Sequence, residues 1–310
     1  MRQSNWKIIG MSKITDIISE WPVEKRIEKI KKIYADRMNK ELHIENPELF
    51  SEIQQWIKIY CNNSRITRCV DKATFKDYVA EKLGEGYTAK TYMLWNQPGD
   101  VDIASVPDKC VVKSNCMGSS KNNYIIDNKS EIDLKKIEKE IKDEWFDPIK
   151  LNTNSFAAFY YGIKPRVIVE ENLRKEEDYL YEWKVMCFHG VPRCIYHPER
   201  SICRGSIDQN GPHSFYTPDW KYMNIRYSKY PSRNDVERPA HLEEILEISS
   251  QLSQPFPFVR VDFYERKEEL FLGELTFTQG GGLKPLYPDN IDRLFGQLIL
   301  EKEWKSRYLE

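Results

Sequence analysis

The densest β signal in the chain reads Phe258-Val259-Arg260-Val261-Asp262-Phe263-Tyr264, crosses a polar turn, and resumes as Leu270-Phe271-Leu272-Gly273-Glu274-Leu275-Thr276-Phe277. Aromatic and β-branched residues alternating with polar ones mark half-buried strands. A single antiparallel hairpin centred near Glu268 sets Asp262 opposite Glu274 and Arg260 opposite Thr276. The two-residue period puts these four side chains on one face, with Val259, Val261, Phe263, Leu275 and Phe277 on the other. Carboxylates opposed across a ladder repel unless a cation lies between them. A divalent ion held by carboxylate oxygens meets that need. A register different by a residue or two leaves both acids simply facing water, and spacing alone keeps both readings open.

Working outward, the segment from Pro198 to Pro239 carries repeated breakers, including Asn210-Gly211-Pro212, and predicts a long irregular excursion of the kind that forms lids or disordered loops. A helix over His241 to Leu252 follows it. Further strands are expected at Cys110 to Val112, Tyr124 to Ile126, Arg166 to Glu170 and Trp183 to Phe188, with a helix starting at Ser130 and running through Ile141. Small polar residues fill Ser114 to Asn123. Their backbone N–H groups can cradle phosphate, with Lys113 projecting a cation toward the same anion; an ordinary hairpin loop has the same composition. Nearer the start, Ile27, Ile30, Ile33 and Tyr34 recur on one helical face, as do Leu49, Ile53, Trp56 and Ile57. Asp71 to Leu83 reads as another helix, capped by Asp71 and closed by Gly84. The charged residues of these helices read as a solvated surface, and no chemistry is expected there.

The 310 residues are 40% apolar and 13% aromatic, which excludes a disordered tail and, at about 100–200 residues per domain, predicts two or three packed units. Forty-seven basic residues against 48 acidic ones give no global field toward nucleic acid or anionic lipid. No run of about 18 apolar residues and no secretory leader is evident, so a cytoplasmic protein without a membrane span is expected. The seven cysteines are odd in number and never spaced CxxC, which disfavours a disulfide framework and a zinc site. There is no P-loop, no Rossmann glycine fingerprint and no G-x-S-x-G elbow. The five histidines lie outside any nucleophile context, and Cys116 reads as a space-filling thiol.

Five segments then combine: Val70-Asp71-Lys72; Pro107 through Lys113-Ser114-Asn115; Pro165-Arg166 through Glu170-Glu171-Asn172-Leu173; Lys184 through Cys187-Phe188-His189-Gly190-Val191-Pro192; and Phe256 through Asp262 with Gly273-Glu274-Leu275-Thr276-Phe277. In these, from about Trp56 to Leu300, the chain resembles the ATP-grasp proteins of the TupA-like group. The resemblance implies an α+β fold in which two lobes with mainly antiparallel sheets clasp ATP, behind a helical N-terminal region. Residues 1–105 would form that region, 106–172 the small lobe and 173–310 the large lobe. It implies ATP and Mg2+ as cofactors. Lys113 would contact the α and β phosphates, with Gly118, Ser119 and Ser120 closing over them. Glu170 and Glu171 through Leu173 would form the adenine hinge, backbone groups reading the base and a nearby acid meeting the ribose. Lys184 would be a second phosphate ligand with a catalytic role, Asp262 and Glu274 would hold magnesium, and Arg260 would stabilise the transferring phosphoryl group.

Two departures from the family pattern stand out. Cys116-Met117-Gly118-Ser119-Ser120 replaces a glycine-richer loop, and Thr276 occupies the position of an asparagine ligand, where a hydroxyl coordinates magnesium less well than an amide carbonyl. The implied reaction is ATP-dependent joining of a small-molecule carboxylate to an amine through an acyl phosphate, on a sugar nucleotide or glycan precursor of a cell-surface polysaccharide or capsule. A phosphotransferase acting on a sugar, and a non-catalytic nucleotide-binding module, are the competing readings. Arg200, Arg204, Arg226, Arg233 and Arg238 could present forks to an acidic substrate or form an exposed loop without a partner. Gly280-Gly281-Gly282 offers close backbone approach to a ligand or a flexible exit.

Overall fold

The computed structural model describes residues 18–116, 123–147, 156–174, 180–199, 202–203, 206–207, 211–267 and 269–309. Helices come first: α1 (Val23–Met38), α2 (Phe50–Tyr60), α3 (Ser64–Val70) and α4 (Lys72–Leu83). On α1 the buried residues Ile30, Tyr34 and Met38 follow a spacing of four, as an amphipathic helix requires. α2 departs from the expected solvated surface, because Glu52, Gln54, Gln55 and Lys58 are buried along with its apolar residues. Glu52 is satisfied locally: its carboxylate accepts the N–H groups of His43, Glu48 and Leu49 at 3.0–3.1 Å, closing the helix N-terminus. The Asp71 cap holds as expected, accepting the Ala73 N–H at 2.9 Å, and Gly84 ends α4 at φ +88°.

The chain then lays down β1 (Thr91–Trp95), β2 (Cys110–Ser114), β3 (Asn123–Ile126), α5 (Leu134–Glu144) and β4 (Val167–Glu171). The four strands form an antiparallel sheet in the order β1-β4-β2-β3. One face is covered by α5, so that Val112, Ile126, Val167 and Val169 pack with Ile137, Ile141 and Trp145 in a core of their own. α5 begins later than Ser130: Asp133 caps it by accepting the Lys136 N–H, while Ser130 lies in a short 3-10 turn bonded to Asn128. An aspartate one residue before the apolar period outcompeted the serine.

The remainder comprises β5 (Tyr181–Phe188), β6 (Val191–Pro198), β7 (Ile202–Cys203), β8 (Ser206–Ile207), β9 (His213–Tyr216), β10 (Tyr222–Met223), β11 (Arg226–Tyr227), α6 (Leu242–Ser253), β12 (Phe258–Arg266), β13 (Glu269–Thr276), β14 (Leu286–Tyr287) and α7 (Asn290–Leu300). Six strands make an antiparallel sheet in the order β10-β9-β6-β5-β12-β13. The 198–239 stretch is therefore not irregular throughout, since β9 and β10 extend the sheet and β11 pairs with β14. The breakers fall between these short strands. β12 lies between β5 and β13 and is buried on both faces.

The N-terminal helices do not stand apart. Phe50 of α2 meets Phe188, Phe258 and Phe295 at ring separations of 4.7–6.1 Å, so the helices and the six-stranded sheet share one core. β1, expected in the helical region, belongs to the four-stranded sheet instead. A third small cluster, Ala89, Leu173 and Phe271 with Leu180 and Tyr264 beside it, sits where the two sheets meet. Among the described residues no helix is long and apolar enough to cross a membrane. Cys69, Cys110, Cys116, Cys187 and Cys194 are buried thiols outside any disulfide.

Candidate active site

The hairpin pairs Arg260 with Thr276 and Asp262 with Glu274, then slips by one residue so that Phe263 faces Leu272. Gly273 is the extra residue. A Cβ there would lie 2.8 Å from the Tyr264 ring, so only glycine admits this bulge without displacing the ring. The bulge interrupts the ladder just behind the two acids, leaves their register intact, and lets pairing resume from Phe263 to Arg266.

Arg260 is the centre of the arrangement. Its Nε donates to Asp262 Oδ1 at 2.6 Å and its Nη2 to Asp262 Oδ2 at 2.6 Å. The same Nη2 reaches Glu274 Oε1 at 3.2 Å and Thr276 Oγ1 at 3.1 Å. One oxygen from each of the three expected metal ligands thus converges on a single cationic atom. From the neighbouring strand, Lys184 faces Asp262 in register, and its Nζ donates to Asp262 Oδ2 at 2.5 Å and Glu182 Oε1 at 2.6 Å. Burial works against the Arg260 charge, but the Asp262 and Glu274 carboxylates outweigh it and hold the guanidinium above its ordinary range. Burial also opposes ionisation of Glu274, yet Lys72, Arg260 and Lys184 lower its pKa to about 2. The acids repel less than the sequence suggests because two basic side chains already sit among them.

Lys113, at the far end of β2, forms an ion pair with Glu170 Oε1. Glu170 Oε2 pairs with Lys76 at 2.8 Å, and Lys76 also donates to the Ala89 carbonyl at 2.6 Å and Thr91 Oγ1 at 2.9 Å. Burial favours the neutral acid, but the two lysines win and hold Glu170 below the usual carboxylate range. In the hinge, then, the Glu170 side chain turns toward Lys113 and Lys76, and the half-buried Glu171 is the acid left beside it. The Leu173 carbonyl accepts from the Arg266 guanidinium. Asn172 holds Asp127 Oδ1 at 2.8 Å. Gly118, Ser119 and Ser120 lie outside the described residues. Cys116 is buried, which pushes its thiol pKa up.

Lys72 and Lys76 were not expected in any site. They are one helical turn apart on α4, so they share a face, and the charge of Lys72 is the foremost influence lowering Glu274. Their placement follows from a tie built by Asp71, Asn115 and Arg166. Asp71 Oδ1 accepts from Asn115 Nδ2 at 2.9 Å, and Oδ2 accepts from Arg166 Nη2 at 2.7 Å. Asn115 Oδ1 accepts the Arg166 N–H at 2.8 Å, and the Asn115 carbonyl accepts the Lys72 N–H at 3.0 Å. The sequence signal was present: two lysines spaced by four directly after a capping aspartate, on a helix whose apolar face is needed for the core.

Arg200 and Arg204 lie outside the described residues, and the other arginines of the excursion share no common point. Arg226 stacks on Tyr287, Arg233 pairs with Glu199 and Asp235, and Arg238 pairs with Glu243.

A family profile described as TupA-like ATP-grasp matches residues 52–300. The chain belongs to the TupA-like ATP-grasp family. Its fold is the α+β ATP-grasp fold. Among solved structures, the D-alanine–D-alanine ligase of Bacillus anthracis matches at 16% identity and a TM-score of 0.45, covering 77% of this chain and 68% of the ligase. The corresponding ligase of Helicobacter pylori matches at 15% identity and a TM-score of 0.43, covering 82% and 67%. The N5-carboxyaminoimidazole synthase of Aspergillus clavatus, complexed with ADP and a ribonucleotide, matches at 13% identity and a TM-score of 0.41, covering 73% and 48%. No curated protein sequence matches the chain.

Among the described residues, no group of three or more His, Cys, Asp or Glu side chains could hold a metal ion. The convergent oxygens of Asp262, Glu274 and Thr276 are nevertheless hard donors of the kind magnesium prefers. These are the residues that would hold such an ion.

Proposed function

We propose that this TupA-like ATP-grasp protein is an ATP-dependent carboxylate–amine ligase. A substrate carboxylate oxygen bonds to the γ-phosphorus of ATP as the bond to ADP breaks; the amine then bonds to the acyl carbon, phosphate leaves, and the amine proton goes to base or solvent. The observation that carries this reading is the meeting of Asp262, Glu274 and Thr276 on the Arg260 fork. A buried, permanently charged fork is suited to an oxyanion or transferring phosphoryl group.

The lysines divide by location. Lys113 and Lys76, held together by Glu170, would bind phosphates near the hinge. Lys72 and Lys184 would act closer to the acids. Asp262 and Glu274 would hold magnesium, with Thr276 as a weaker third donor, and the ion when bound would neutralise phosphate charge. The apolar cluster of Ala89, Leu173 and Phe271 would face the adenine ring. The acceptor proposed from the family resemblance is a uronic acid or related sugar acid of a cell-surface polysaccharide precursor.

Incubation with MgATP and sugar acids, with and without amino acids or simple amines, tests the proposal. Release of ADP and phosphate that requires both acid and amine, with an amide mass in the product, is the expected result. A phosphorylated sugar without free phosphate would establish the phosphotransferase reading instead. Nucleotide binding without turnover across the substrate pairs would favour a non-catalytic module.

A further inference from the structure

Next to the hairpin, the polar side of α2 presents a lysine that meets no acid among the described residues. Lys58 is 4% exposed, and its Nζ donates to Gln55 Oε1 at 3.0 Å and the Gly281 carbonyl at 3.1 Å. Both acceptors are neutral. No carboxylate pairs with Lys58 among the described residues, and an ammonium carries three donors. Burial alone pushes its pKa down to about 8, so it remains largely charged near neutral pH. A buried cation with only neutral partners is costly, and a methionine of similar length would fill the space without that cost.

Three residues after Thr276, Gln279 is 3% exposed, and its amide makes no hydrogen bond of full geometry, reaching only toward the Tyr227 hydroxyl. Between these two polar groups run Gly280, Gly281 and Gly282, all at φ between 56° and 66°. A Cβ on Gly282 would lie 2.3 Å from Gln55 Nε2, and one on Gly280 would lie 2.3 Å from the Tyr227 hydroxyl. Gly281 differs: a Cβ there meets only Lys58 Nζ, at 4.0 Å. That is an ordinary contact distance, so Gly281 is the one glycine of the three whose Cβ face is not already filled by a close neighbour, and the ammonium lies against it. Tyr227, which abuts Gly280, also lies within the electrostatic reach of Arg260, which places the turn beside the proposed reaction centre.

We infer that Lys58, the Gln279 amide and the glycine turn between them form a subsite for a carboxylate carried by a substrate. The lysine supplies the charge and its third N–H, the glutamine supplies a directed N–H, and Gly281 brings no side chain between them. What the carboxylate belongs to rests on the ligase reading: it is the acid of an amino-acid amine donor or the acid of the sugar substrate.

Calorimetric titration of the full chain with MgADP present decides this. The ligands are glucuronate and a panel of L-amino acids, each matched by its own carboxamide. In the wild type at least one acid is expected to bind ten-fold or more tightly than its carboxamide, and the series in which it occurs identifies the source. Lys58→Met and Gln279→Leu should each erase that preference, and Lys58→Met should melt no lower than the wild type because it removes an uncompensated charge. If Lys58→Met does not fold, Gln279→Leu gives the answer. No acid preference in the wild type, or a preference that survives in the folded variants, overturns the inference. A parallel MgATP titration reports on the ligase reading separately: its failure removes that reading while the carboxylate preference is still measured.

Discussion

Glu170→Gln is the perturbation whose effect follows most directly from the geometry. The carboxylate lies between Lys113 and Lys76, with 9% of its side chain exposed against 14% and 16% for the lysines. Glutamine keeps the volume and removes the charge, so two largely buried ammonium groups lose their common counter-ion. Removing one partner of a buried ion pair costs about 3–5 kcal/mol. At roughly 2 °C per kcal/mol for a large domain, the melting temperature should fall by about 6–10 °C. Nucleotide should act in the opposite direction. In the wild type, phosphate must compete with Glu170 for the lysines, whereas in the variant it meets them unpaired. Differential scanning calorimetry with and without saturating MgATP is therefore expected to show a lower melting temperature for the variant alone and a larger upward shift on adding nucleotide. A variant that melts with the wild type, or one that gains no more from nucleotide, would refute the view that these lysines serve phosphate and that Glu170 restrains them.

Three further outcomes are expected. Arg260→Lys keeps a positive charge beside Asp262 but loses the fork that reaches Asp262, Glu274 and Thr276, so kcat in the ligase assay should fall by about 10²–10³-fold with MgATP affinity largely kept. Glu274 has a folded pKa of about 2, below its unfolded value. It therefore adds stability that is present above about pH 4.5 and lost as pH falls toward 2. Acid unfolding of Glu274→Gln should show a shallower decline across that window, by an amount reduced through the 39% exposure of the side chain. Gly273→Ala places a methyl 2.8 Å from the Tyr264 ring and should cost about 1–3 kcal/mol in urea denaturation.

Much of this arrangement was legible in the chain because strand periodicity is a local property. The order of aromatic and β-branched residues around Asp262 and Glu274 fixed both strands and the facing of the acids. What it could not show was the cation between them: Arg260 was placed on the correct face, but its closure onto all three oxygens depends on burial from both sides of β12. Lys72 and Lys76 escaped notice for a related reason. Charged residues on an amphipathic helix ordinarily face water, and only the long-range tie through Asn115 and Arg166 turns that face inward. The same holds for α2, whose polar side is buried by α7 and the turn at Gln279, more than 200 residues later in the chain. β9 was hidden because four residues between breakers carry too little pattern to stand out.

The Asp71–Asn115–Arg166 tie has one more effect. α4 is rooted by Phe75, Tyr78 and Val79 in the core under the six-stranded sheet, while Asn115 and Arg166 flank the strands of the other sheet. A chain with two separate apolar cores would ordinarily lose them in two thermal steps. Here the helix cannot detach from either without stranding a buried aspartate, so calorimetry should record one joint transition, and weakening Asp71 should split it in two.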